Sequence, residues 1–284
     1  MARAAQEGWK DDREFPFTPE DFEAVRQLVG EHTGIALSDI KSDMVYSRLT
    51  RRLRATGCKT FSEYLERLRS NEAEELDHFV NALTTNLTAF FREEHHFDHL
   101  AEVALPEMMA LAKDRRLRLW SAGCSTGEEA YSMAMVVRET VPEGWDIRIL
   151  ATDLDTEVLR QAERGVYDAG RVRGMPQTRL RRHFLRGRGA NEGKVRVRDE
   201  VRRLVKFQRL NLIDRPWPMR ERFHGVFCRN VIIYFNKQTQ RELFDYLTGY
   251  VCPPGWLYIG HSETLWQVTE RFEPHGRTVY RLVE

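Results

Sequence analysis

Residues 120–131 read Trp-Ser-Ala-Gly-Cys-Ser-Thr-Gly-Glu-Glu-Ala-Tyr, directly after the alternating apolar pair Leu117 and Leu119 and directly before a helical pattern. A strand that turns so sharply into a helix commits this stretch to a β–α unit. In an open α/β sheet the carboxyl end of such a strand is where a nucleotide-like ligand lies. Gly123 and Gly127 let the backbone approach a ligand that a Cβ would block. The spacing is not the G-x-G-x-x-G of a dinucleotide site, so the turn alone is a weak signal. Asp153, in Leu-Ala-Thr-Asp-Leu-Asp at the end of the next strand-like run, adds a carboxylate that can accept from both hydroxyls of a ribose. Glycine turn, helix, strand and acid, in that order, predict a site for an adenosine-bearing cofactor. Glu129 stands in the first turn of the helix, facing either a cationic group on that ligand or only the helix dipole.

The same alternation continues through the second part of the chain. Strand-like runs fall at 117–121, 146–152, 204–210, 223–228, 255–260 and 278–283, and helix-like runs at 127–140, 155–164 and 237–251. Strands alternating with helices predict a mostly parallel sheet, Rossmann-like in class. Between about 167 and 203 the alternation is interrupted by an Arg-rich segment with Gly187, Gly189 and Gly193 beside the hairpin-like run 194–198. It reads as a small antiparallel β-subdomain inserted into the α/β domain, with a short helix.

The first ~90 residues lack strand signals and read as an all-α domain. Thr18, Pro19, Glu20 and Asp21 give a cap, a first-turn proline and acids. Phe22, Val25, Leu28 and Val29 follow at helical spacing, with Gly34 past the end. A second helix spans about 41–56, with Met44, Val45, Leu49 and Leu53 on one face and Gly57 closing it. Thr60 and Glu63 form a capping box for a third, carrying Phe61, Tyr64, Leu65 and Leu68. Asn71 caps a fourth, with Leu76, Phe79, Val80 and Leu83 inward. The division expected from sequence is 15–90 for the helical domain and 91–284 for the α/β domain. Periodicity breaks at 84–92, and another helix runs from about Glu93 toward Lys113.

Composition excludes several classes. No run of about 18 uninterrupted apolar residues exists, so no membrane insertion is expected. Residues 1–17 have mixed charge and no apolar core of a signal peptide. Cys58, Cys124, Cys228 and Cys252 lack metal-like spacing, so reduced thiols in a cytoplasmic protein and no metal site are expected. The net charge of +1 is uninformative, but arginines cluster locally. Arg48, Arg51, Arg52 and Arg54 load the second helix with positive charge, which is either a solvated face or a docking surface for an acidic partner. No aromatics are interleaved, which disfavours a single-strand nucleic-acid platform.

Other polar residues fall at strand ends that share one sheet edge. Asn211 and Leu212 follow the third strand, and Cys228, Arg229 and Asn230 end the fourth. Asn211 either hydrogen-bonds an adenine edge or makes an Asx turn. The run Asn230-Val-Ile-Ile-Tyr234 is similar to the Asn-Pro-Pro-Tyr motif of nitrogen-methylating enzymes, but lacks the prolines that shape a backbone to accept an N–H donor. Asn86, Thr88 and Arg92 interrupt two helices just ahead of the α/β domain, as a capped hinge or as a linker closing over a ligand. In the second case Arg92 is a candidate anchor for a carboxylate.

Taken together, the runs Asn86-Leu-Thr-Ala-Phe-Phe-Arg92-Glu, Ser125-Thr-Gly-Glu-Glu-Ala-Tyr131-Ser, Ala151-Thr-Asp153-Leu-Asp155, Phe227-Cys-Arg-Asn-Val-Ile-Ile-Tyr234-Phe and Gly260-His-Ser-Glu263 resemble the CheR-type chemotaxis receptor methyltransferases. The resemblance covers about 17–283, with the motifs in order. Ala130 departs from a proline common in the family. The resemblance implies a protein-glutamate O-methyltransferase that uses S-adenosyl-L-methionine (SAM) and leaves S-adenosyl-L-homocysteine. It implies cofactor contacts from Asn86, Thr88, Arg92, Glu129, Asp153, Asn211, Leu212, Cys228 and Arg229, to which the glycine turn adds Gly123; spacing to Asp153 favours Glu129 over Glu128. Arg92 and Tyr234 become the substrate-side, catalytic candidates. The implied partner is the helical cytoplasmic domain of chemoreceptors, an acidic surface suited to the basic second helix. A receptor C-terminal pentapeptide, added as a strand to the inserted subdomain, is a second implied contact. A monomer is expected, with no nucleic-acid partner. The alternatives are a SAM-dependent nucleic-acid methyltransferase and a non-catalytic SAM-sensing adaptor.

Overall fold

The computed structural model describes residues 13–70 and 73–283. Its contacts divide the chain into two compact units between Thr85 and Asn86. That is five residues before the expected boundary after residue 90. The reason lies in segment 86–90, whose bonds run to the sheet edge of the second unit: Asn86 Nδ2 donates to Asp155 at 2.7 Å and accepts at its carbonyl from Ser125 Oγ at 3.0 Å.

The first unit holds α1 (Pro19–Thr33), α2 (Ser42–Thr56), α3 (Phe61–Arg69) and α4 (Ala73–Leu83). Thr18 and Asp21 close a reciprocal capping box on α1, and Gly34 ends it at φ 73°. Such a cap contributes about 1 kcal/mol. At α3 only half of the expected box forms. Thr60 accepts from Glu63 N, but the Glu63 carboxylate accepts from Lys59 N at 2.8 Å. Asn71, the expected cap of α4, lies outside the described residues. The apolar faces expected of α1 and α3 are buried as read. Met44 and Leu76 are only half-buried, and Glu75 takes an inward place. It is held there by Arg52 (2.7 and 3.0 Å) and Tyr64 Oη (2.7 Å).

The second unit begins with a helix built from α5 (His95–His99), a π turn (Leu100–Ala104) and α6 (Leu105–Leu111). Then follow β1 (Arg116–Ala122), α7 (Glu128–Thr140), β2 (Asp146–Asp153) and α8 (Thr156–Arg164). The inserted part carries β3 (Val166–Asp168), α9 (Gln177–His183), β4 (Phe184–Arg186), β5 (Lys194–Val197) and α10 (Asp199–Arg202). The chain returns through β6 (Val205–Arg209), β7 (Phe223–Phe227), α11 (Lys237–Leu247), β8 (Val251–Tyr258), β9 (Phe272–Pro274) and β10 (Val279–Leu282).

The main sheet has the order β6-β2-β1-β7-β8-β10-β9. Neighbours from β6 to β8 pair parallel, and β10 runs antiparallel to both β8 and β9. Strand order reverses between β1 and β7, which places the topological switch point at their carboxyl ends. Alternate residues of β1 feed opposite faces. Leu117 and Leu119 pack with α7, whereas Trp120 and Ala122 pack with the Leu243, Phe244 and Leu247 face of α11. Burial on both faces is what a parallel sheet requires.

Two departures from the sequence reading have simple causes. The strand expected at 255–260 starts earlier, at Val251, because Phe223 pairs with Val251 and Gly225 with Trp256, so the intervening prolines sit in a bulge. The short strands β3, β4 and β9 were not expected individually, since three residues display no alternation. The insertion is a three-stranded antiparallel sheet of order β3-β5-β4, as its hairpin signal predicted. Among the described residues no helix is long and apolar enough to cross a membrane.

Candidate functional site

The glycine turn lies at the carboxyl end of β1, as its sequence position required. Gly123 and Cys124 donate their N–H groups to the Thr152 carbonyl at 2.8 and 2.9 Å, which joins the turn to the end of β2. Gly123 adopts φ 87°, and a Cβ there would stand 2.3 Å from Val231 Cγ2. Gly127 adopts φ 94° and packs where a Cβ would meet Ala162. Both glycines are therefore demanded by backbone conformation and by close approach.

Asp153 ends β2 with each carboxylate oxygen already held by one backbone donor. Oδ2 accepts from Ser125 N at 2.8 Å and Oδ1 from Asp155 N at 3.0 Å. Each oxygen keeps a further lone pair, so the acid can still accept from two hydroxyls. Burial pushes its pKa up to about 6, against the pull of those N–H groups. Asp155 caps α8 through Glu157 N and Val158 N and receives the Asn86 amide. Asn211 follows β6 beside this acid, since Leu210 N donates to the Asp153 carbonyl at 3.0 Å. Its Oδ1 accepts from Ile213 N at 3.3 Å, the Asx turn that sequence left open. Leu212 and Cys228 are buried in one apolar cluster, and burial raises the Cys228 thiol pKa well above its ordinary value.

The two acids that start α7 point to different neighbours. Glu129 accepts from Ser121 Oγ at 2.7 Å and from Arg229 Nη1 at 3.0 Å, so it stands between the ends of β1 and β7. Burial raises its pKa, opposed by Arg229 and Ser121. Glu128 turns instead to Thr126 Oγ1 (2.6 Å) and to Arg171 of the insertion. This separation gives geometric support to the preference for Glu129.

Arg229 is almost fully buried and organises the remaining side of the site. Besides Glu129 it meets Glu93 at 3.2 Å and donates to the Arg92 carbonyl at 2.5 Å. Burial disfavours the Glu93 carboxylate, yet the His261 hydrogen bond and the Arg229 charge bring its pKa down to about 2. Arg92 bends its guanidinium back to the Leu87 carbonyl through Nη1 at 2.8 Å. No other hydrogen bond of that guanidinium occurs among the described residues, so most of its N–H donors are available. The segment around it is pinned at several points: Thr88 O accepts from Arg171 at 2.9 Å, Phe91 N donates to Ser132 Oγ at 3.0 Å, and Phe90 packs edge-on against Tyr167 and Phe184. Tyr234 closes a short 3-10 turn after β7, and the buried Glu263 carboxylate binds the backbone of that turn.

The structure therefore brings Asn86, Thr88, Arg92, Gly123, Glu129, Asp153, Asn211, Leu212, Cys228 and Arg229 to the carboxyl edge of β1, β2, β6 and β7 or to the segment bonded to it. The α2 arginines belong to the helical unit and divide into two kinds. Arg48 donates to the Ala82 and Thr84 carbonyls at 3.3 and 2.7 Å, and Arg52 is bound to Glu75. Arg54 is exposed and pairs with Glu14, and Arg51 is exposed with no ion pair among the described residues. Sequence reasoning assigned no role to Glu93, Arg171 or Glu263. Glu93 and Glu263 sit inside quoted motifs, so an acid beside a motif arginine or a motif glycine was a usable signal. Arg171 offered none.

Comparison with known proteins agrees with this geometry. Residues 20–84 match the CheR methyltransferase, all-alpha domain, and residues 86–281 match the CheR methyltransferase, SAM binding domain. The chain is 45% identical over 271 residues to chemotaxis protein methyltransferase 2 of Pseudomonas aeruginosa, covering 95% of each chain. It is 43% identical over 265 residues to the chemotaxis protein methyltransferase of Escherichia coli, covering 92% of this chain and 90% of that one. Neither the nucleic-acid reading nor the adaptor reading is favoured by these relatives. With both domains matched and the motif residues gathered at one sheet edge, the chain belongs to the CheR methyltransferase family and is a SAM-dependent methyltransferase of chemotaxis.

Proposed function

We propose that the chain esterifies glutamate side chains on the helical cytoplasmic part of chemoreceptors. The observation that carries this reading is Arg92, half-buried at the site with most of its guanidinium donors unspent and its carbonyl held by Arg229, the residue just ahead of the turn that bears Tyr234. SAM supplies a methyl group on a sulfonium, open to in-line attack by an oxygen. A solvated glutamate carboxyl titrates near pH ~4.3, so the acceptor is ionised at neutral pH and needs no general base. The task left to the protein is alignment, which accounts for roughly 7–11 kcal/mol of barrier in well-oriented reactions. Arg92 holds the acceptor carboxylate through its free N–H groups, and Tyr234 orients it by a hydrogen bond. A carboxylate bound only from one side keeps lone-pair density on the attacking oxygen.

The remaining residues fit a bound SAM. Asp153 retains the acceptor capacity for the ribose hydroxyls. Glu129, fixed by Ser121 and Arg229, offers a carboxylate toward the cationic methionine end, which the Gly123 turn lets approach. Asn86, Thr88, Asn211, Leu212 and Cys228 complete the wall, with Arg229 fixing its acids. Arg51 is the arginine of α2 best suited to an acidic receptor helix, because Arg48 and Arg52 are committed within the unit, and the exposed Arg54 joins it only by giving up its pair with Glu14. The edge position of β4 in the small sheet supports addition of a receptor C-terminal pentapeptide as a further strand. Such a tether raises local concentration without altering the site. A cytoplasmic monomer is the form proposed.

The test is turnover with labelled SAM and a receptor cytoplasmic fragment, with the modified residues mapped by mass spectrometry. Label on glutamates is expected. SAM binding without labelling of the fragment contradicts the reading.

A further inference from the structure

Glu263 is a buried acid with no cationic partner among the described residues. Its carboxylate is instead filled by main-chain donors. Oε2 accepts from Gly260 N at 2.5 Å and from Asn230 N at 2.8 Å, while Oε1 accepts from Ile233 N at 3.3 Å. Burial pushes the Glu263 pKa up, against the pull of these N–H groups.

Two of those donors, Asn230 N and Ile233 N, come from one turn, residues 230–233. It starts with Asn230 at φ 58° and leads through Ile232–Tyr234, a 3-10 helix. The turn leaves the sheet at the end of β7, so its first N–H groups have no strand partner. A buried N–H without an acceptor costs about 1–3 kcal/mol. Several converging N–H groups call for an acceptor with two oxygens, which a carboxylate supplies. Gly260 makes the approach feasible, because a Cβ there would stand 2.2 Å from Asn230 Nδ2. The same short motif ties the other half of the site. His261 Nδ1 lies 2.9 Å from Glu93 Oε1, and Glu93 pairs with Arg229, which holds the Arg92 carbonyl.

We infer that Glu263 is a positioning residue for the acceptor side: its carboxylate, filled by the N–H groups of residues 230–233, fixes the turn that carries Tyr234. This rests on the reading of Tyr234 as an acceptor-side group. Glu263 does not touch either substrate in this account. Its effect passes through the turn, so it governs turnover and not cofactor affinity.

The variant is Glu263→Gln, which keeps the side-chain shape but aims an amide N–H₂ at backbone donors. S-adenosylhomocysteine affinity, turnover on a receptor fragment and amide hydrogen exchange are measured on the full chain. The expected result is a kcat lower by roughly tenfold or more, as for a reacting group displaced by a fraction of an ångström. S-adenosylhomocysteine affinity stays near that of the parent, and exchange rises at residues 230 and 233. In a Tyr234→Phe background the same change costs much less, because residues acting through one group are not additive. A merely structural role predicts a lower Tm with kcat per folded molecule unchanged, and that overturns the inference. Equal losses of turnover and S-adenosylhomocysteine binding, or full additivity with Tyr234→Phe, also overturn it. Should Glu263→Gln not fold, Gly260→Ala displaces the same turn with the carboxylate retained. Reduced turnover with ligand binding kept supports the inference, and unchanged turnover contradicts it. If the parent enzyme labels no receptor glutamate, the functional reading fails. The exchange data then decide the inference alone: unchanged exchange at 230–233 overturns it, and raised exchange there supports it.

Discussion

The turns after β1 and β7 stand side by side at the switch point, yet they are held by different partners. The β1 turn is tied to the end of the neighbouring strand β2, by the Thr152 carbonyl and by the Asp153 carboxylate, which accepts from Ser125 N. Gly123 and Cys124 donate to Thr152, and two glycines occupy left-handed conformations. The β7 turn starts from a non-glycine residue at positive φ, Asn230, and its donors are collected by Glu263 from another part of the chain. The two meet where Gly123 faces Val231. Glycine at both ends of the first turn lets a ligand reach its backbone, which suits a ligand that is always the same. The second leads from Arg229 to Tyr234 and, under the proposed function, serves the side where the acceptor enters. The difference implies that damage to the first turn weakens cofactor binding, whereas damage to the second weakens turnover.

The largest effect expected is on the acceptor side. Arg92→Ala removes the proposed carboxylate anchor and is expected to lower kcat by roughly a hundredfold, by analogy with other lost charge contacts made at the transition state. Isothermal titration should still detect SAM binding. Activity within about twofold of the parent sinks the assignment of Arg92, since even one such contact exceeds that.

On the cofactor side, Gly123→Ala forces a Cβ against Val231 at a left-handed φ, and its strain of about 1–3 kcal/mol weakens SAM binding by roughly fivefold to a hundredfold. If kcat falls while affinity holds, the division between the two turns is wrong.

Asp153 sharpens the same division through pH. In the proposed contact, ribose hydroxyls donate to the carboxylate, so the ligand prefers the ionised form. With the pKa of the ligand-free site at about 6, SAM affinity is level above pH 6 and falls as pH drops below it. The decline approaches tenfold per unit, since one proton competes. Asp153→Asn, measured by the same titration, removes that pH dependence.

The smallest effect concerns α2. Arg51→Glu raises KM for the receptor fragment by a few-fold with no change in SAM affinity, in keeping with a surface charge on an interface rim. Arg52→Ala acts differently: it strands Glu75 and lowers stability by about 2 kcal/mol. Thermal denaturation separates the two.

The order of elements was legible because each strand–helix unit carries its signal locally. Leu117 to Tyr131 announces a strand, a tight turn and a helix with no reference to the rest of the chain. The capped helices of the first unit were readable for the same reason. What sequence missed depends on partners far apart. Glu263 binds a turn some thirty residues away, between about residues 230 and 233. Arg171 joins the insertion to Thr88 and Glu128 across unrelated segments. The basic helix shows the opposite error. Four arginines looked alike, but Arg48 and Arg52 are consumed by the Ala82 and Thr84 carbonyls and by Glu75. Charge along a helix does not reveal which charges the fold itself uses.

The central claim is that the acceptor atom is a carboxylate oxygen. It is tested most directly by incubating the enzyme with methyl-labelled SAM and a receptor cytoplasmic fragment, then exposing the labelled fragment to mild base. A methyl ester releases volatile labelled methanol and leaves the fragment unlabelled, and that is the result predicted. Label that survives base is not a carboxyl methyl ester and contradicts the account.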